Sequence, residues 1–173
     1  VESKATVGPI EGGYNTCKEF EATLEYVGGI RQIVKTTTAD SPFGGIIDPN
    51  GQRNGIRFTG TDGWLWVNRG DLSASKEDMI MTPLPDNAIK LEESNNHMGN
   101  FFDCVRSRKD PIAHVENGHR SAVVGHLIII AMFVGRKLQG DPVKEVFTGD
   151  GAQEANQHLA REMRKPYDYS FVS

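Results

Sequence analysis

The chain has 173 residues, 38% apolar and 24% charged, with 19 Lys+Arg against 23 Asp+Glu and a formal net charge of −4. That is an ordinary globular composition, which excludes the disordered and fibrous classes and fits one domain with one sizeable core. A net-negative chain sets up no broad positive field, so neither nucleic acid nor an anionic membrane surface is expected as a partner.

In chain order, Phe20 to Tyr26 alternates strictly, with Phe20, Ala22, Leu24 and Tyr26 on one face and Glu21, Thr23 and Glu25 on the other. This two-residue period predicts a half-buried strand. Gly28-Gly29 supplies the turn and Ile30 to Thr38 the β-branched return strand of a hairpin. Residues 40–55 concentrate Asp, Pro, Asn and Gly and read as a long loop. Ile56–Thr61 and Trp64–Val67 follow as short strands joined at Asp62-Gly63, so that an antiparallel meander is expected. Its core face would take Phe20, Leu24, Tyr26, Ile56 and Phe58, leaving Glu21, Thr23, Glu25, Arg31, Lys35 and Arg57 on the other. Trp64 and Trp66 share one side of their strand, either as core or as an aromatic subunit interface.

The second half reads as helical. Ser94 or Asn95 can cap a helix in which Met98, Phe101, Phe102 and Val105 recur at three- and four-residue spacing. Arg106, Arg108 and Lys109 sit at its negative end, and Pro111 stops it. A second helix is expected from about Glu116 or Asn117 to Leu138, ended by Gly140-Asp141-Pro142. Its apolar run, Ala122 to Val134, falls short of the roughly 20 residues that cross a bilayer and reads as a buried helix. A third, amphipathic helix is expected over Gln153–Lys165. The fold class is therefore α+β: an open, mainly antiparallel β-sheet over about 5–75, with helices on one face from about 94 to 165.

Few motifs point to chemistry. Gly149-Asp-Gly151 resembles a phosphate-binding turn, but Glu154 stands where the third small residue belongs, and too little chain follows for a second strand. It reads as a helix-entry turn. The histidines lack metal-ligand spacing and no CxxC pair accompanies them, so no metal site is expected. Cys17 and Cys104 do not make a disulfide framework, and Cys104 has no base signalled beside it. His97 and His119 fall in the first turns of their helices, where free amides and the positive dipole end favour a polar or anionic group. With Arg120 they are candidate ligand-facing residues; the alternative for Arg120 is an ion pair with Glu116, four residues back.

Three blocks carry a resemblance: Gly55-Ile-Arg-Phe-Thr-Gly-Thr-Asp-Gly-Trp-Leu-Trp-Val67, Glu93-Ser-Asn-Asn-His-Met-Gly-Asn-Phe-Phe-Asp-Cys-Val-Arg-Ser-Arg108, and Pro111-Ile-Ala-His-Val-Glu-Asn-Gly-His-Arg-Ser-Ala122. In these the chain resembles the C-terminal domain of the glucose-fructose oxidoreductase / inositol dehydrogenase (Gfo/Idh/MocA) family, bacterial branch, over nearly its whole length. The resemblance implies a dihydrodipicolinate-reductase-like C-terminal domain of an NAD- or NADP-dependent oxidoreductase. The implied substrate is a sugar, polyol or related hydroxy compound. The Rossmann domain that binds the cofactor is expected to precede this chain and to be its partner, so residues 1–173 would be a substrate-binding and oligomerisation domain, inactive alone. The start at Val1-Glu-Ser-Lys4, without Met or an export-like leader, suits a piece of something longer.

The family's catalytic lysine belongs to a Glu-Lys-Pro motif that this sequence lacks, so no catalytic and no cofactor-binding residue is carried over. By the same resemblance the open sheet face packs on another subunit, and His97, Glu116, His119 and Arg120 approach the substrate pocket. The competing expectation is a stand-alone, non-catalytic binding or scaffold module derived from that domain.

Overall fold

The computed structural model describes residues 1–7, 11–14, 16–36 and 54–170. It is α+β, with short antiparallel sheets and helices, and it divides into two compact units, Val1–Thr36 with Ala122–Ser173 and Thr37–Ser121.

In the first unit, β1 (Glu2–Val7), β2 (Glu19–Glu25) and β3 (Arg31–Lys35) form an antiparallel sheet in that order. The β2–β3 hairpin closes through Gly28 and Gly29, both at positive φ (93° and 82°), a region that costs a residue with a Cβ about 1–2 kcal/mol. Within β2 the expected alternation holds, with Ala22 and Leu24 buried and Glu25 exposed, whereas Tyr26, expected on the core face, lies past the strand end and is exposed. They pack against Ile128 on the second long helix, with Phe20, Val34, Val124, Leu127 and Met132 around them. Burying a side chain of the size of Leu or Ile contributes about 1.5–3 kcal/mol. The opposite face is charged, with Glu21 paired across strands to Lys35 and Lys4, and Glu25 to Arg31.

Helix α3 spans Val115–Val134, beginning in the second unit and ending in the first. Its 20 residues would by length and composition reach across a bilayer, but a core helix passes the same test, and Ile128, Ile130, Ala131 and Val134 are buried. It stops four residues before the expected Leu138 because Gly135 turns into the left-handed region (φ 69°). Leu138 is instead a core residue beyond the helix, and its backbone exchanges both hydrogen bonds with Val1, at 2.7 and 2.8 Å.

A hairpin absent from the sequence reading follows: β7 (Gln139–Asp141) and β8 (Val146–Thr148). Asp141 Oδ1 accepts from the amides of Val143 and Lys144, so the residue expected to mark a helix stop starts a turn. Phe147 buries itself against Ile130, Ala131 and Val134. The third expected helix is short: α4 covers Ala152–Asn156, entered at Gly151 in the left-handed conformation. Past it the amides of Gln157, His158 and Leu159 donate to carbonyls three residues back, and the Asn156 side chain is engaged by the hairpin. Its Oδ1 accepts from Phe147 N at 2.8 Å and its Nδ2 donates to Phe147 O at 3.0 Å.

In the second unit, β4 (Ile56–Thr59), β5 (Trp64–Val67) and β6 (Leu72–Ala74) make another antiparallel sheet, and α1 (Asp78–Met81) and α2 (His97–Ser107) follow. The described strands thus fall into three separate sheets. The expected loop over 40–55 lies almost wholly outside the described residues. Register places Arg57, Trp66 and Ser73 in one row on one face, and Ile56, Val67 and Leu72 in a row on the other. Trp66 is buried, and the Arg57 guanidinium lies 5.2 Å from the ring centre of half-buried Trp64. Ile56 and Phe58, expected in the core, are instead exposed. The physical reason is position: β4 is an edge strand of its sheet and all four of its residues are exposed, those on the tryptophan side included.

Candidate functional site

The candidate residues His97, Glu116, His119 and Arg120 all belong to the second unit and all lie at helix starts. Helix α2 is capped by Asn96, whose Oδ1 accepts from Gly99 N at 2.8 Å. The cap is thus one residue later than Asn95 and two later than Ser94, whose Oγ accepts from Asn96 N. Gly99 suits the position, since a Cβ there would meet the Asn96 amide at 2.4 Å. His97 is therefore the first helical residue, exposed beside the free amides of the first turn.

Helix α3 is entered through His114. Its Nδ1 accepts from Glu116 N at 3.2 Å, and its Nε2 lies 3.5 Å from Asp110 Oδ1. The ring serves as a cap, with Nδ1 toward the helix amide and Nε2 facing the carboxylate. A second tie binds the same loop to α2, where Asn100 Oδ1 accepts from Ile112 N at 3.2 Å. Neither His114 nor Asn100 was singled out in the sequence. Pro111 and Asp110 signal a loop, but a histidine cap has no spacing signature.

Glu116 and Arg120 meet as a short ion pair, Nε to Oε1 at 2.7 Å, about half exposed on both sides. This is the structural reading that the sequence offered for Arg120, and an exposed i,i+4 pair of this kind is worth about 0.3–0.5 kcal/mol. His119 lies beside them on the exposed first third of α3, and both His119 and Arg120 have further partners. The structure joins Glu116 to Arg120, sets His119 next to them in sequence, and keeps His97 on a separate helix tied in through Asn100 and Ile112.

Among the described residues, no three His, Cys, Asp or Glu side chains gather as a metal ion would need. Cys17 and Cys104 are both free thiols. The Gly149-Asp-Gly151 turn is a helix entry, with both glycines at positive φ (72° and 77°), and Arg136 bridges its acids Asp150 and Glu154 at 3.6 and 3.7 Å. Elsewhere in the first unit Lys137 Nζ meets Glu25 at 2.9 Å. That contact lowers the Glu25 carboxyl and raises the Lys137 amine relative to their ordinary values.

These features define an α+β domain whose candidate polar residues lie at two helix starts. The model of the oxidoreductase family's C-terminal alpha/beta domain, of the Gfo/Idh/MocA group, matches residues 49–169, and the chain belongs to that family. No curated protein and no solved structure matches the chain.

Proposed function

We propose that this chain is the substrate-binding and oligomerisation domain of an NAD(P)-dependent oxidoreductase acting on a sugar, polyol or related hydroxy compound. The observation that carries the reading is the family match over residues 49–169. In such a reaction a hydride passes between the nicotinamide and a carbinol carbon, which is the chemistry a bound NAD(P) supplies. This chain's part is to wall the pocket. His97, beside the open amides of α2, and the Glu116–Arg120 pair with His119 on α3 offer donors and acceptors matched to hydroxyl groups. The cofactor falls to a Rossmann domain that partners this one.

Two measurements test the reading. Calorimetric titration of the 173-residue chain with NADH should give no heat of binding, and micromolar affinity would contradict the division of labour. In the enzyme carrying both domains, His97→Ala and Arg120→Ala should each lower kcat/KM at least about tenfold, or ~1.4 kcal/mol of transition-state stabilisation. Unchanged kcat/KM in both variants would remove these helix starts from the pocket.

The oligomer would form through the open sheet face, and the structure redirects attention from one face to another. On β5 Trp66 is buried and Trp64, Leu65 and Val67 are half-buried; the side carrying the exposed Ile56, Phe58 and Leu72 is the face we assign to contact with another subunit.

A further inference from the structure

Among the described residues, three buried polar atoms of the β5–β6 hairpin have no hydrogen-bond partner: Trp66 Nε1, Asn68 Nδ2 and Ser73 Oγ. All three belong to one face. Trp66 and Ser73 stand opposite each other in register, and Asn68 follows Trp66 by two residues, the strand period that returns a side chain to the same side. Directly opposite side chains start about 5 Å apart and diagonal ones about 7 Å, so the three are neighbours. Asn68 is held there by its other end, where Oδ1 accepts from Gly70 N and Asp71 N, both at 2.8 Å, which turns Nδ2 away from those amides. The indole is held by a glycine. A Cβ on Gly55, one residue before the Ile56–Val67 pair, would come within 2.7 Å of Trp66 Cε2, so glycine lets the N–H edge of the ring lie at the Asn68 end of the sheet.

We propose that these three atoms line an enclosed hydration site, in which one water accepts from Trp66 Nε1 and Asn68 Nδ2 and donates to Ser73 Oγ. Donor chemistry sets the ligand. An indole N–H and an amide NH2 can only donate, and the serine hydroxyl does either. What they require is an oxygen with two lone pairs and a proton to give. A water buried in a protein is held by two to four polar partners, and this face supplies three of them.

Charge and access argue against other occupants. Arg57 shares the face, but it is exposed and its guanidinium lies over the Trp64 ring, so it is not enclosed with the three donors. Asp71, which exchanges backbone contacts with Asn68 across the turn, adds negative charge nearby. A buried anion here would lack a counter-charge, which costs far more than enclosing a neutral group. The hydroxyl of a polyol is excluded by access, because all three atoms are closed to solvent. A water trapped as the hairpin folds meets neither objection. It ties the Asn68–Asp71 turn to the middle of β5 and satisfies donors that a protein interior does not leave unpaired.

Nuclear magnetic resonance of the full chain with isotope-labelled indoles tests it. Trp64→Phe, which leaves a single indole, identifies the Trp66 N–H. In the parent that proton should show nuclear Overhauser and rotating-frame cross-peaks to water of opposite sign, the signature of a held water rather than of exchange with bulk. Cross-peaks to chain protons without the water pair would mean that the chain supplies the acceptor, and would overturn the proposal. Same-sign peaks, which mark open exchange, would overturn it too. Ser73→Ala removes the third contact with little change of volume and should weaken the water cross-peak at least twofold at unchanged circular dichroism; an unchanged cross-peak would overturn the three-atom site. Without any variant, a crystal structure of the chain should place an ordered water within about 3.2 Å of both Trp66 Nε1 and Asn68 Nδ2. A backbone or side-chain oxygen in that place would contradict the proposal.

Discussion

The sheets β1–β2–β3 and β4–β5–β6 share a plan, three antiparallel strands in sequence order, and differ in what their outer faces carry. The first turns Ala22 and Leu24 inward onto Ile128 and shows Glu21, Lys35, Glu25 and Arg31 outward. The second covers Trp66 and shows Ile56, Phe58 and Leu72 outward. Contiguous exposed apolar surface marks a contact region, and in the function proposed above the second sheet is the one assigned to assembly.

The sharpest way to break that contrast is truncation on each sheet. Leu24→Ala leaves a cavity beneath α3 and should cost about 2–5 kcal/mol in urea unfolding, whereas Phe58→Ala in dilute solution should stay within about 0.5 kcal/mol of the parent. Equal losses would erase the distinction between the faces. Next in size is Asn156→Ala, which strips both hydrogen bonds from the Phe147 backbone and should cost about 1–3 kcal/mol by the same unfolding measurement. Smaller is Asn96→Ala, an N-cap loss of about 1 kcal/mol confined to the second unit. Its hydrogen-exchange signature should appear in α2 and leave β1–β3 protected.

The smallest effect concerns the charged edge of the first sheet. The Glu25 carboxyl is held below its ordinary 4.5 by the Lys137 hydrogen bond and charge, so the pair's stabilisation is present above pH 4.5 and fades as pH falls through the lowered value. For Lys137, raised above 10.5 by the Glu25 hydrogen bond and charge, the contribution is present below 10.5 and fades as pH rises through the raised value. Both groups are exposed, so Glu25→Gln should flatten the acid limb of the stability profile slightly without moving its midpoint near neutrality.

Much of this was legible in the residues. The period of two over Phe20–Tyr26, the Gly28-Gly29 and Asp62-Gly63 turns, and the three- and four-residue spacing of α2 reappear as β2–β3, β4–β5 and an amphipathic helix. What failed did so where short-range pattern is silent. Ile56 and Phe58 alternate as core residues do, but whether a strand is covered at all is a tertiary fact, and β4 lies exposed along its whole length at the edge of its sheet. The β7–β8 hairpin hid because three-residue strands are too short for a period, and its stabiliser, Asn156, is a side chain rather than a pattern. At the candidate site the Glu116–Arg120 pair was readable from spacing, whereas the His114 cap and the Asn100 tie arise from a loop geometry that no repeat announces.

The central claim, that one sheet is built for the core and the other for a second subunit, is tested most directly by sedimentation of the 173-residue chain across a wide concentration range, beside Phe58→Asp. The account predicts concentration-dependent association in the parent and a shift to monomer in the variant at unchanged circular dichroism. A parent that stays monomeric at the highest concentration, or a variant that associates as well as the parent, would contradict it.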